Sequence, residues 1–143
     1  LHLYQGYRLL PDTGLIHDVM KAINGEFSAI HCYAEIARNA SNPLEKSQIQ
    51  EIRKDEIRHF QEFSRIYFSL TGRQPTPQIT EACPKTYKEG LRAAFKDEQE
   101  TVDFYLDIAD KTQDQYIKER FKRAASDEQN HAVWFLYFLS NNP

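Results

Sequence analysis

The chain has 143 residues, 41% of them hydrophobic and 27% charged, with a formal net charge of −3. That size suits one domain with one sizeable core, expected to take in all of residues 1–143. The charge gives no electrostatic case for nucleic acid or an anionic membrane, and the longest clearly apolar run, Ala132 to Leu139, is far too short to span a bilayer.

In chain order, residues 1–12 form an N-terminal segment. Leu1 to Leu10, with Tyr4 and Tyr7, is too apolar for a free tail and is expected to dock on the rest of the chain or on a partner. Pro11-Asp12 leads into a first helix over about 13–39. Asn42 as N-cap, Pro43 at the first helical position and Glu45 open a second helix that ends near Thr71-Gly72. Residues 72–85 hold three prolines and read as a linker. Thr86 with Glu89 repeats the capping pattern and opens a third helix over about 86–112. A fourth runs over about 114–140, before Asn141-Asn142-Pro143. The two cysteines, Cys32 and Cys83, form no CxxC pair and are expected to be free thiols in a reducing cytoplasm. No secretory leader pattern is legible.

The second half echoes the first at an offset of 72 residues without a gap. Ala22, Glu26, Tyr33, Ile36 and Ala37 match Ala94, Glu98, Tyr105, Ile108 and Ala109; Asp55, Glu56, His59 and Phe63 match Asp127, Glu128, His131 and Phe135. This predicts a duplicated helical hairpin whose copies pack as one all-α four-helix bundle. Short turns make the first and second helices antiparallel, and likewise the third and fourth. The linker of about fourteen residues can stretch roughly 46 Å, and a helix of about 27 residues is roughly 40 Å long. The linker can therefore run the length of the bundle and leave the second and third helices parallel.

Each helix carries a stripe spaced three and four residues apart. The stripes read Ile16, Val19, Ile23, Glu26, Ile30, Tyr33, Ala37; then Ile49, Ile52, Glu56, His59, Phe63, Ile66, Leu70; then Leu91, Phe95, Glu98, Val102, Tyr105, Ala109; then Ile117, Phe121, Ala124, Glu128, His131, Phe135, Phe138. Glutamates and histidines interrupt otherwise apolar stripes at mid-helix. Buried, unpaired carboxylates are costly and repel one another, which should raise their pKa values, and no lysine or arginine shares these stripes. Two divalent cations would balance four carboxylates. One Glu-x-x-His pair carries little weight among the chain's five histidines. Two pairs at equivalent repeat positions, each 30 residues after a stripe glutamate, are hard to obtain by accident.

These residues resemble the ferritin-like di-iron carboxylate superfamily, in which two helices each give a Glu and the other two each give a Glu-x-x-His. Glu26 and Glu98 match the single glutamates; Glu56-Ile57-Arg58-His59 and Glu128-Gln129-Asn130-His131 match the pairs. The resemblance spans all four helices and is greatest to the rubrerythrin-like branch, where Tyr33 and Tyr105 follow the single glutamates by seven residues. It implies two iron ions per chain, with manganese or zinc as the other candidates. By the same resemblance Glu56 and Glu128 bridge the metals, Glu26 and Glu98 are terminal ligands, and His59 and His131 bind one metal each. Two departures stand out. The CxxC iron domain of rubrerythrins proper is missing. Their extra metal-site glutamate is replaced by Thr101, while Glu100 points about 200° away from Glu98 on an ideal helix.

Outside the six ligands, Tyr33 and Tyr105 are either core tyrosines or donors to a metal ligand. Asp55 and Asp127 either orient a histidine on a neighbouring helix or lie on the surface. His31 faces Asp103 in the repeat and is expected not to be a ligand; His2 and His17 are expected at the periphery, and Arg58 in a surface salt bridge. The leading functional expectation is a di-iron or di-manganese oxidoreductase acting on hydrogen peroxide or dioxygen. It would draw electrons from a separate donor and form a homo-oligomer, a dimer first. Phe60, Phe63 and Phe135 would limit water access. The alternatives are a ferritin-type iron oxidation and storage protein and a non-catalytic helical interaction module.

Overall fold

A computed structural model describes residues 12–143. The expectation for Leu1 to Leu10 falls outside the described residues. Four helices make up the described part: α1 (Thr13–Arg38), α2 (Pro43–Thr71), α3 (Tyr87–Lys111) and α4 (Gln115–Ser140). Each starts where a side chain can take up a free backbone N–H. Asp12, Asn42, Thr86 and Asp114 accept from the amides of Leu15, Glu45, Glu89 and Ile117. α2 ends at Gly72, whose φ of 74° is a left-handed conformation that favours glycine. The helix ends lie within about a residue of those predicted.

α1 packs chiefly on α2, and α3 on α4; the two hairpins meet through α1 against α3 and α2 against α4. The crossover returns along the bundle. The Tyr87 hydroxyl, at the start of α3, donates to Glu45 at the start of α2 (2.6 Å). Asn142, just past α4, donates to the same carboxylate at 3.1 Å. α2 and α3 therefore run parallel, as the length of the linker predicts.

Three fastenings spaced four residues apart hold the crossover along α1. The Gln78 amide donates to Asn24 (2.9 Å), the Thr80 amide donates to Ser28 (2.9 Å), and Cys83 is disulfide-bonded to Cys32. The expectation of two free thiols is thus corrected. The cysteines are 51 residues apart in sequence, but the path of the linker brings their Cα atoms to 5.2 Å. The correction removes the thiol argument for a reducing cytoplasm. Among the described residues no helix is long and apolar enough to cross a membrane.

The apolar core falls into two parts. One gathers Val19, Ile23, Phe63, Tyr105, Ile108 and Phe121; the other gathers Tyr33, Ile36, Ile49, Ile52, Leu91, Phe135 and Phe138. Both are closed to solvent: Phe63, Phe121 and Phe135 have no exposed surface. The interrupted positions of the four stripes lie between these two apolar blocks.

Candidate metal centre

The structure brings together the six side chains singled out from the stripes. Glu26 (α1), Glu56 and His59 (α2), Glu98 (α3), and Glu128 and His131 (α4) are each at most 2% exposed. Their helical spacing accounts for this. Residues three apart on α2 and α4 share a face, so each Glu-x-x-His pair points inward together. The ligand atoms fall into two overlapping groups, Glu26–Glu56–His59–Glu128 and Glu56–Glu98–Glu128–His131. Within each group the atoms lie within 4.8 Å of one another, and Glu56 and Glu128 belong to both. The His59 and His131 rings stack with centroids 6.4 Å apart.

The surrounding contacts cross between the hairpins in matched pairs. The Tyr33 hydroxyl donates to Glu98 at 2.5 Å, and the Tyr105 hydroxyl donates to Glu26. His59 Nε2 meets Asp127 at 2.8 Å, and His131 Nε2 meets Asp55 at 2.7 Å. Arg58 bonds both aspartates, Asp55 at 3.0 Å and Asp127 at 2.8 Å. Each of these tyrosines and aspartates thus contacts a glutamate or histidine of the opposite hairpin. His31 bonds only its own helix, through Nδ1 to the Phe27 carbonyl, and His17 is exposed. Glu100 is exposed, and Thr101 lines the cavity described below.

These contacts settle the proton positions on each imidazole. The Asp127 carboxyl, although partly buried, is drawn down to about 2 by His59 and Arg123, and His131 lowers Asp55. Both aspartates are acceptors only, so each Nε2 carries a hydrogen whether the ring is neutral or charged, and each Nδ1 faces the glutamates. His59 Nδ1 lies 3.1 Å from Glu128 and 3.3 Å from Glu26 and Glu56, with no hydrogen bond formed. One oxygen each of Glu26, Glu56 and Glu128 is likewise buried without a partner. Buried polar atoms left without a partner are rare in native cores.

Without cations the cluster can neutralise itself only with protons. Burial, then the charges of Glu26 and Glu98, push Glu56 up to about 8. Burial, with Glu56, Glu98 and Glu26, also raises Glu128 well above the usual carboxylate range. Burial opposes charge on the imidazoles, yet Glu26 and Asp127 hold His59 up at about 12, and Asp55 and Glu98 hold His131 at about 10. Glu98 departs from the expectation that these carboxylates rise. Burial pushes it up, but bonds from His131 and Tyr33 outweigh that and lower it. Bound cations would replace the shared protons and satisfy the orphaned atoms, so this donor set fits a pair of metals.

Two further carboxylates escaped the sequence reading. A cavity of about 130 Å³ lies between α1, α3 and the crossover. Glu26, Glu56 and Glu128 line it, as do Asp97 of α3 and Glu81 of the crossover. Burial and then Glu81 push Asp97 up to about 7. Asp97 sits beside a stripe residue but off the stripe, and Glu81 is in an irregular segment, so neither shows in a helical pattern.

Comparison with known proteins agrees with this geometry. The rubrerythrin family model matches residues 19–138. The uncharacterized protein YhjR of Bacillus subtilis (strain 168) is 58% identical over 128 residues, which cover 90% of this chain and 88% of that protein. A hypothetical protein from Pyrococcus furiosus has the same fold, with a TM-score of 0.76 at 19% identity over 88% of each chain.

Proposed function

The chain belongs to the rubrerythrin family, and from that premise we propose that it is a di-iron oxidoreductase that reduces hydrogen peroxide or dioxygen. The observation that supports this most directly is the set of unpartnered polar atoms between the two apolar blocks: one oxygen each of Glu26, Glu56 and Glu128, with His59 Nδ1. Two divalent ions would balance the four carboxylates, and a mixed carboxylate–imidazole set suits iron or manganese, and zinc less exclusively. Glu26 and His59 would hold one ion, Glu98 and His131 the other, and Glu56 and Glu128 both. When bound, a pair of irons supplies two electrons together and avoids one-electron radical products.

The chain's own residues set the conditions for that chemistry. Asp127 and Asp55 keep the Nε2 protons in place, so each Nδ1 lone pair is presented once its proton leaves. Tyr105 and Tyr33 each occupy one oxygen of Glu26 and Glu98. Phe63 and Phe135 exclude water along the bundle axis, while the 130 Å³ cavity reaches Glu26, Glu56 and Glu128 from the side. The electrons come from a separate donor. Exposed Val133, Leu136 and Tyr137 on α4 support self-association, as a dimer first.

The test is anaerobic reconstitution with ferrous iron, metal analysis, particle mass, and stopped-flow oxidation. About two irons per chain and faster oxidation by peroxide than by dioxygen are expected. One iron or none defeats the proposal. Faster reaction with dioxygen, with loading far above two per chain and a very large particle, would instead support iron storage.

A further inference from the structure

The cavity beside the centre has an outer end that the proposed chemistry does not use. Glu81 is exposed, Asp97 is half-buried, and Glu26 is 2% exposed, so carboxylates run inward from solvent. The crossover puts Glu81 there: Thr80 is bonded to Ser28 and Cys83 to Cys32, which fixes the intervening chain against α1. Glu81 and Asp97 share a second, smaller cavity of about 50 Å³ beside Cys32 and Tyr33. Lys21 is the cation on the cavity wall, and its Nζ sits over the Phe104 ring, 4.8 Å from the centroid. At the inner end, the buried Oε1 of Glu26 has no hydrogen-bond partner.

The geometry points to Glu81 and Asp97 as an entry station for divalent cations, on a passage that ends at Glu26, Glu56 and Glu128. This rests on the reading of the centre as a metal site, and adds how the metal gets there. A buried cluster roofed by Phe63 and Phe135 needs a polar way in, and a cation sheds its water more readily where carboxylates replace it in steps. A mouth of one charge sign between low-dielectric walls also raises the local cation concentration, by a factor of roughly 10 to 1,000 in such clefts. The enclosure is unequal on the two sides. Glu26, Glu56 and Glu128 line the passage, whereas Glu98 and both histidines do not.

The experiment is stopped-flow uptake of Co²⁺ by metal-free protein, followed by the visible absorption of the bound ion. It compares wild type, Glu81→Gln, Asp97→Asn and the double variant at low and high ionic strength. Uptake by the double variant should slow about tenfold at low ionic strength. The gap should narrow at high ionic strength, and the final two Co²⁺ per chain should be unchanged. Glu81→Gln alone, on an exposed segment, should slow uptake without altering thermal stability. Wild-type rates in the double variant overturn the inference, as does a lowered final Co²⁺ count, which would make these residues ligands. Wild-type protein that takes up no Co²⁺ defeats the reading of the centre itself.

Discussion

Glu56→Gln tests the buried cluster without removing its shape. Glu56 is 1% exposed and lies between both histidines, and its pKa is pushed up from 4.5 to about 8. A carboxyl raised on folding means that the folded state holds more protons than the unfolded state, so stability falls as pH rises from about 4.5 to 8. For that shift the linkage amounts to about 4 kcal/mol at pH 7.5, of which about 3 kcal/mol is lost between pH 5 and 7.5. His59 and His131 add to the slope with the same sign, since their raised values lose their contribution as pH climbs from 6.5 towards 10 and 12. Asp127, drawn down to about 2, acts oppositely, its contribution disappearing as pH falls below about 4. Metal-free wild type should therefore be most stable near pH 4 to 5. The glutamine variant, with nothing to ionise at this position, should be more stable than wild type at pH 7.5 by roughly 2–4 kcal/mol and should show a shallower pH slope. It should also gain less from added Mn²⁺ or Fe²⁺, because an amide cannot neutralise two ions. Urea unfolding of chelated and metal-loaded protein at pH 5 and 7.5 measures each quantity. A metal-free variant less stable than wild type at pH 7.5, with the same pH slope, refutes the argument.

Asp127→Asn should weaken Co²⁺ binding about 10- to 100-fold by releasing the Nε2 side of His59, and Asp55→Asn should do the same through His131; isothermal titration reads both. Tyr105→Phe leaves Glu26 without its hydroxyl donor and should destabilise the metal-free protein by about 1–3 kcal/mol in urea unfolding. Unchanged stability would mean that the bond contributes nothing. Reducing the Cys32–Cys83 disulfide reopens a loop of 51 residues. In the chain-entropy model that lowers stability by up to about 4 kcal/mol. Limited proteolysis should then cut first within residues 73–82, and cleavage elsewhere would contradict the role assigned to the fastening.

The centre was legible because helical periodicity and duplication both point to the same positions. Glu98 sits on the α3 stripe, and its partner Glu26 sits 72 residues earlier on the α1 stripe; either alone is a weak signal. The crossing of contacts was half legible. Seven-residue spacing put Tyr33 and Glu26 on one face of α1, but only the packing of the hairpins shows that Tyr33 serves Glu98 and not Glu26. The disulfide was misread because spacing rules address neighbouring cysteines, whereas Cys32 and Cys83 meet only through the path of an irregular segment. Glu81 and Asp97 were missed for the same reason. The direction for Glu98 depended on His131 and Tyr33 both reaching it, which charge counting does not foresee.

The exchange of supports between hairpins ties the two copies of the repeat together. Loss of the hydroxyl at Tyr33 is felt 65 residues away at Glu98, and a change at Asp55 is felt 76 residues away at His131. A substitution tolerated by its own hairpin can therefore strand a residue of the opposite one. Neither copy can drift on its own account. Mutational freedom is left to the outward faces, where the halves already differ, and the 72-residue echo lies where each half holds the other's residues.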